Sequence, residues 1–253
     1  MSYKVHEENN INLSHFVRDH QRYLESIDYK GWDVFDGLNS RLLRKSPLYT
    51  SRFIRLLWIQ FFKRSPINFR YITGVPKEYN PKGLALFISG LVSLYYVDKD
   101  QSLLERARFL NEELLRLKSD TDTGLAWGYN FDWQARAFYV PEFKPNMICT
   151  VFAGNAILDL YDVEQDETLL EQAVQIGEFI LNELILQEQV DRLCFAYIPG
   201  ENAVVHNANL MGARFLSRLY RVTSNVGYKN YAERSVRFSA NFQRSDGAWE
   251  YGT

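Results

Sequence analysis

Three times along this chain a segment ends on Leu-Tyr-x-Val, at residues 94–97, 160–163 and 219–222. Twelve residues beyond each tyrosine (Tyr95, Tyr161, Tyr220) stands an alanine: Ala107, Ala173 and Ala232. Before each Leu-Tyr lies a stretch rich in small residues: Gly83, Ala85, Ser89 and Gly90, then Ala153, Gly154 and Ala156, then Ala208, Gly212 and Ala213. Small side chains let helices approach closely, as an inner layer requires. After each alanine comes a longer, more charged helical pattern and then an aromatic loop, with Trp127 and Tyr129, Phe195 and Tyr197, and Trp249 and Tyr251. The unit is inner helix, short turn, outer helix, aromatic loop, at a period of about 60 residues. Coincidence of these three features in three copies is not a chance pattern. It predicts an all-α chain of helical hairpins, stacked as a solenoid or closing into an α/α toroid.

Two further helices precede the countable repeats. Apolar residues at helical spacing between 11 and 26 (Ile11, Leu13, Phe16, Val17, Tyr23, Leu24) predict an amphipathic helix. A turn-rich segment follows, with Gly31, Gly37, Asn39 and Ser40, carrying Trp32, Asp33, Phe35 and Asp36 as a faint echo of the aromatic loop. Residues 49–63 predict a second helix, with Phe53, Ile54, Leu57, Trp58, Phe61 and Phe62 on its apolar side. Such a basic amphipathic helix can lie on a membrane surface. The toroid pattern around it favours burial of its aromatic face in the core. The count is about eight helices, or four hairpins, in a single domain over residues 1–253. A closed toroid commonly needs six hairpins, and the sequence stops at Gly252 and Thr253 where another inner helix is due, so the expectation is an incomplete ring lacking C-terminal hairpins.

Charge and cysteine usage bound the partners. The net charge of −2 argues against general nucleic-acid binding. Between Asp36 and Glu78 there is no acidic residue, yet Arg41, Arg44, Lys45, Arg52, Arg55, Lys63, Arg64, Arg70 and Lys77 all fall there. A solvated basic face is the plain reading, and a docking surface for an anionic glycan or acidic lipid headgroups is the other. Cys149 and Cys194 make no disulfide framework. No apolar run has the length of a membrane span, and the N-terminus lacks the apolar region of a signal peptide. The expectation is a soluble, cytoplasmic protein.

The segments SPINFRYITGVPKEYNPKGLALF, WGYNFDWQAR, KPNMICTVFAGNAILDLY, HNANLMGARFLSRLY and DGAWEYGT together resemble a family of α/α-toroid proteins. Its members occur with bacterial and archaeal polysaccharide-biosynthesis loci and are sometimes mislabelled δ-aminolevulinic acid dehydratases. The similarity runs from about residue 31 onward. At superfamily level the family is similar to six-hairpin glycosidases and glycan lyases, and more distantly to terpenoid cyclases and lanthionine synthetases. The dehydratase label fails a physical test: that enzyme is a βα barrel with a Schiff-base lysine, and nothing here alternates strand with helix. The resemblance implies a carbohydrate-active or glycan-binding protein acting in polysaccharide biosynthesis or modification, as a hydrolase, a lyase or an epimerase. The alternative is a non-catalytic helical scaffold that docks glycosyltransferases or the membrane through the basic 41–77 segment.

Asp132 is the candidate acid/base. It stands among Trp127, Tyr129, Phe131 and Trp133, and aromatic surroundings favour the protonated form of a carboxyl group. The plainer alternative is that it caps the following segment or pairs with Arg136. Asp33, Asp36, Glu142 and Asp246 are further loop carboxylates from which a second partner could come. His206 is the second catalytic candidate, as a base or a partner for a sugar hydroxyl, against a local role at the start of its helix. Trp127, Tyr129, Trp133 and Trp249 are candidate sugar-stacking residues, and Asn146 and Asn207 candidate polar contacts on the same rim. Cys149, Cys194 and His206 suggest zinc, but the adjacent Cys-His pair of zinc-bearing toroids is absent, and buried apolar cysteines fit better. No metal or other cofactor is expected. There is no P-loop, dinucleotide fingerprint or nucleophile elbow.

Overall fold

The computed structural model describes the backbone of residues 4–134 and 139–250 and the side chains from His15 onward. Arg136 and Tyr251, and the side chains of Ile11 and Leu13, therefore lie outside the described residues. The chain is mostly helical, with ten α-helices among the described residues: α1 (Lys4–Ser26), α2 (Arg41–Arg44), α3 (Arg52–Arg64), α4 (Arg70–Thr73), α5 (Pro81–Asp98), α6 (Gln101–Arg116), α7 (Met147–Glu164), α8 (Glu167–Glu183), α9 (His206–Thr223) and α10 (Val226–Ala240). Two small antiparallel ribbons join them. In one, β1 (Trp133–Gln134) pairs with β2 (Tyr139–Val140), and in the other β3 (Ile185–Glu188) pairs with β4 (Leu193–Phe195). The helices fall into two compact units, residues Met1–Asn80 and Pro81–Thr253.

The second unit explains the repeated motif. Each Leu-Tyr-x-Val closes the last turns of α5, α7 or α9, and the backbone then reverses in one way all three times. Lys99, Gln165 and Ser224, four residues past each tyrosine, take left-handed φ values of 56°, 54° and 58°. Their N–H groups donate to the tyrosine carbonyls at 2.9, 2.9 and 2.8 Å, which satisfies orphan acceptors at the helix end. The next residue, Asp100, Asp166 or Asn225, caps the following helix by accepting from Ser102, Thr168 or Gly227 N–H. Seven residues later the repeated alanines, Ala107, Ala173 and Ala232, lie buried, where a larger side chain would hold the two helices apart.

The hairpins α5–α6, α7–α8 and α9–α10 are thus built alike. α5, α7 and α9 also pack on one another in succession, α7 between the other two. Between Met147 and Leu160 only Phe152, Asn155 and Asp159 escape full burial, one stripe at i, i+3, i+7 on a helix otherwise enclosed. Gly154 makes the approach of α9 possible, because a Cβ there would stand 2.5 Å from Cε2 of Phe215. Polar side chains tie the three helices together along the open stripe. Ser89 of α5 donates to Asp159 Oδ2 at 2.6 Å, and Arg218 of α9 reaches Asp159 at 2.7 Å, Asp162 at 2.9 Å and the Asn155 carbonyl at 3.0 Å.

The first unit is organised around a buried ion pair. Arg70 Nε donates to Asp36 Oδ1 at 2.6 Å and its Nη2 to the Asp33 carbonyl at 2.8 Å. Burial pushes the Asp36 carboxyl up to about 6 against the opposing pull of Arg70. Trp32 donates to Val75 O at 2.9 Å, and a bridge joins Gly31 to Glu78. Around this pair the segment 36–39 forms a 3-10 helix on which α3 packs. The expectation that α3 buries its aromatic face is corrected here. Only Ile59 and Phe62 are buried, whereas Phe53, Leu57 and Phe61 are 67%, 51% and 44% exposed. The 3-10 turns at 36–39 and 47–50 pack on α3 without enclosing it, so Phe53, Leu57 and Phe61 keep much of their surface open.

Candidate functional site

The loop from Gly124 to Asn146 is sewn to the start of α7. Asn146 caps that helix, its side chain accepting from Cys149 N–H at 2.9 Å. Its own N–H donates to Trp127 O at 3.0 Å, while Trp127 N–H donates to Thr150 Oγ1 at 3.0 Å. Gly128 runs so close to the returning loop that a Cβ there would lie 2.1 Å from Lys144 O, so glycine is required for contact rather than for φ. Phe143 N–H donates to Tyr129 O at 2.7 Å, and the β1–β2 ribbon completes the pairing. Within this frame Asp132 is buried, and its Oδ1 accepts from Glu142 N–H at 2.8 Å. Asp132 thus holds the backbone of Glu142, whose own side chain is exposed.

Glu142 lines a cleft of about 500 Å³ with Asp120, Thr121, Asp122, Pro141, Phe143, Lys144, Pro145, Glu183 and Pro199. Its walls come from the connection between α6 and α7, the end of α8, and the connection between β4 and α9. These are the connections that lead from outer to inner helices. A backbone bond from Met147 N–H to Tyr197 O at 2.9 Å holds the neighbouring connections side by side. Four carboxylates and one lysine face the cleft. One of them, Glu183, also fixes the wall, Oε1 accepting from Thr123 N–H at 2.8 Å and Oγ1–H at 2.9 Å. Asp120, Asp122 and Glu142 are exposed.

The sequence candidates are distributed unevenly about this cleft. Trp127 is wholly buried, its indole donating to Leu114 O at 2.7 Å, so it is a core residue with no face to offer a sugar. Phe195, its counterpart one repeat later, is wholly buried too. Tyr129 is half-buried and stacks on Phe131, with ring centroids 5.1 Å apart, and Trp133 is half-buried in β1. Asn146 is spent on its cap. His206 turns to α10: Nδ1 is 3.1 Å from Ser239 Oγ, and the ring packs against Phe238 and Phe242. Burial lowers its pKa below the ordinary value, which favours the neutral imidazole. The same pocket is completed by Asn209, which bonds Ser235 and Ser239. His206 is therefore part of the hairpin's polar core. Asn207, one residue on, is exposed. Trp249 is 42% exposed, with its indole donating to Ser239 O at 2.8 Å.

The remaining loop carboxylates have structural duties. Asp36 pairs with Arg70, Asp33 accepts from Phe35 N–H at 2.9 Å, and Asp246 accepts from Ala248 N–H at 3.0 Å. Cys149 and Cys194 are both buried. Cys194 packs with Val204 and Phe238, and burial pushes its thiol up to about 12. Among the described residues no group of three or more His, Cys, Asp or Glu side chains is placed to hold a metal ion. Asp120, Asp122 and Glu183 went unread in the sequence. Their signal was positional: the run 119–122 follows α6 where the repeat turns toward the next inner helix.

Solved structures share this arrangement of hairpins. The chain matches cellobiose 2-epimerase from Bacillus thermoamylovorans with a TM-score of 0.55 at 14% identity, over 87% of this chain and 62% of that one. It matches a sugar epimerase from a ruminal bacterium with a TM-score of 0.53 at 17% identity, over 88% and 66%. The hairpins of this chain share the fold of these α/α toroids. A GH76 α-mannanase from Bacteroides thetaiotaomicron has the same toroid, with a TM-score of 0.50 at 19% identity over 68% of this chain and 47% of that one. The chain spans about half to two thirds of the length of these toroids. No protein-family model and no curated protein sequence matches it.

Proposed function

We propose that this toroid is a carbohydrate-active protein that takes an oligosaccharide at the cleft beside α7, in the biosynthesis or modification of a polysaccharide. The observation that carries the reading is the gathering onto one cleft of Asp120, Asp122 and Glu142, from the two ends of the α6–α7 connection, with Glu183 at the end of α8. Glycoside hydrolysis works through two carboxylates on either side of the scissile bond. Glu142 is the acid/base in this reading, because its side chain is exposed while its backbone is fixed by Asp132. Asp132 is then a positioning residue. Asp120 or Asp122 supplies the second carboxylate, and Tyr129 and Trp133, half-buried in the adjoining loop, are the nearest of the expected aromatic contacts in sequence. The structural neighbours support the substrate class: they are mannanases, sugar epimerases and a mannose isomerase, and one mannanase is in complex with α-1,6-mannotetrose. The two buried free thiols support a reducing, cytoplasmic setting.

The test is calorimetric titration of the chain with neutral and uronic-acid oligosaccharides, α-1,6-mannosyl ones included, followed by assay for new reducing ends, unsaturated products and epimers. Glu142→Gln is expected to retain binding and lose turnover. Asp132→Asn keeps an acceptor for Glu142 N–H and should lower turnover less. Absence of both binding and turnover across the panel, or full activity in Glu142→Gln, would overturn the assignment.

A further inference from the structure

The exposed face of α3 is the largest feature the cleft leaves unexplained. Phe53, Leu57 and Phe61 recur every four residues, so they form one stripe, and all three are substantially exposed. The stripe is continued at its end, where Phe61 stacks on Phe69 with centroids 5.3 Å apart. Arg64, seven residues past Leu57, shares the phase of the stripe, and Arg52 and Lys63 are exposed at the flank of the helix next to Ile59. Nine basic residues and no acidic one lie between Asp36 and Glu78.

We propose that this face is a docking surface for an anionic lipid bilayer, with α3 lying in the plane of the interface. Large apolar side chains interleaved with lysine and arginine are what an interfacial helix needs: the rings enter the acyl boundary while the cations meet phosphate and carboxylate headgroups. Charge complementarity decides between occupants. A second copy of the chain would bring the segment 37–77, with nine cations and no carboxylate, against its own like, and a two-fold contact would set cation opposite cation. A negatively charged surface faces no such repulsion. No helix among the described residues is long and apolar enough to cross a membrane, so the contact is peripheral. This inference is independent of the sugar cleft.

The test is co-sedimentation of the full chain with vesicles of phosphatidylcholine alone and of phosphatidylcholine containing about one part in four phosphatidylserine. Binding to the anionic vesicles only, weakened by salt, is expected. Lys63→Gln with Arg64→Gln should reduce partitioning about twenty-fivefold, since each surface cation is worth about fivefold. Phe53→Ser with Leu57→Ser should reduce it about tenfold or more, while the circular dichroism spectrum and melting temperature stay near the parent's, both sites being exposed. Failure to bind either vesicle, equal binding to both, or parent-like binding by both double variants would each overturn the proposal. So would concentration-dependent self-association of the parent that the Phe53→Ser, Leu57→Ser variant abolishes, which would give the face to a second copy.

Discussion

Two glycines on inner helices should respond to alanine with opposite signs. At Gly154 of α7 the new Cβ would stand 2.5 Å from Cε2 and 2.8 Å from Cζ of Phe215, a ring itself wholly buried. Ordinary carbon contacts are about 3.5–4.0 Å. The ring, or the whole of α9, must therefore move by about 1 Å. Overpacking of this kind costs about 1–3 kcal/mol, and an enclosed ring places it toward the upper end. Alanine also recovers about 1 kcal/mol of helix propensity. Strain wins, and the net loss is about 1–2 kcal/mol, or a melting temperature lower by about 2–8 °C for a chain of this size. At Gly90 of α5 nothing lies within 4 Å of the same construction, so only the propensity term acts. Gly90→Ala should stabilise by about 0.5–1 kcal/mol. Urea titration followed by far-UV circular dichroism measures both, provided the slope m is unchanged. Phe215→Leu should relieve Gly154→Ala, so that the double variant is less destabilised than the sum by about 0.5 kcal/mol or more. If Gly154→Ala is neutral or stabilising, α7 and α9 are not in the close contact described, and the reasoning from small residues fails.

Other perturbations probe the remaining polar structure. Asp36→Ala leaves the buried Arg70 guanidinium without its carboxylate and should cost about 3–5 kcal/mol, read as a lower urea midpoint. His206 has its pKa lowered by burial, so its contribution to stability is complete above the unfolded value of about 6.5 and is lost as pH falls through the folded value. His206→Gln should therefore flatten the fall in melting temperature on acidification from about pH 7 to 5, and a slope equal to the parent's would refute the assignment. Trp127→Phe removes the indole bond to Leu114 O and should cost about 1–3 kcal/mol, because a buried carbonyl loses its donor. It should leave affinity for any oligosaccharide unchanged.

The hairpins were legible because their turn chemistry repeats. Tyr95, Tyr161 and Tyr220 mark helix ends, and the alanines twelve residues on mark the faces that meet the inner layer. The cap five residues past each tyrosine (Asp100, Asp166, Asn225) was equally present in the sequence and would have fixed the outer helix starts. The aromatic loop misled because a tryptophan between turns reads alike whether it stacks on a ligand or closes the end of a hairpin. Trp127 closes one. For His206 the helix phase held the answer: His206, Asn209, Ala213 and Leu216 fall at i, i+3, i+7 and i+10, and all are buried. Asn207 shares its phase with the exposed Arg214 and Arg221. Burial of α3 could not be read at all, since amphipathic spacing states that a helix has an apolar side and not whether the chain supplies anything to cover it. The cleft carboxylates converge from residues 120 to 183, a pairing that only the stacking of hairpins brings about.

The position of α7 sets an order in which the second unit can come apart. Its neighbours α5 and α9 each lean on it, and the Ser89–Asp159–Arg218 belt crosses it. The hairpin α9–α10 can peel away and expose one flank of α7, and α5–α6 can peel away and expose the other. α7 itself has no such route, because releasing it frees both neighbours at once. Backbone amides of α7 should then exchange with solvent only through the opening that dissolves the whole stack, while those of α10 report the cheapest local departure. The cleft lies just ahead of that most protected helix, Pro145 standing next to its cap Asn146. A ligand there would meet walls whose foundation moves last.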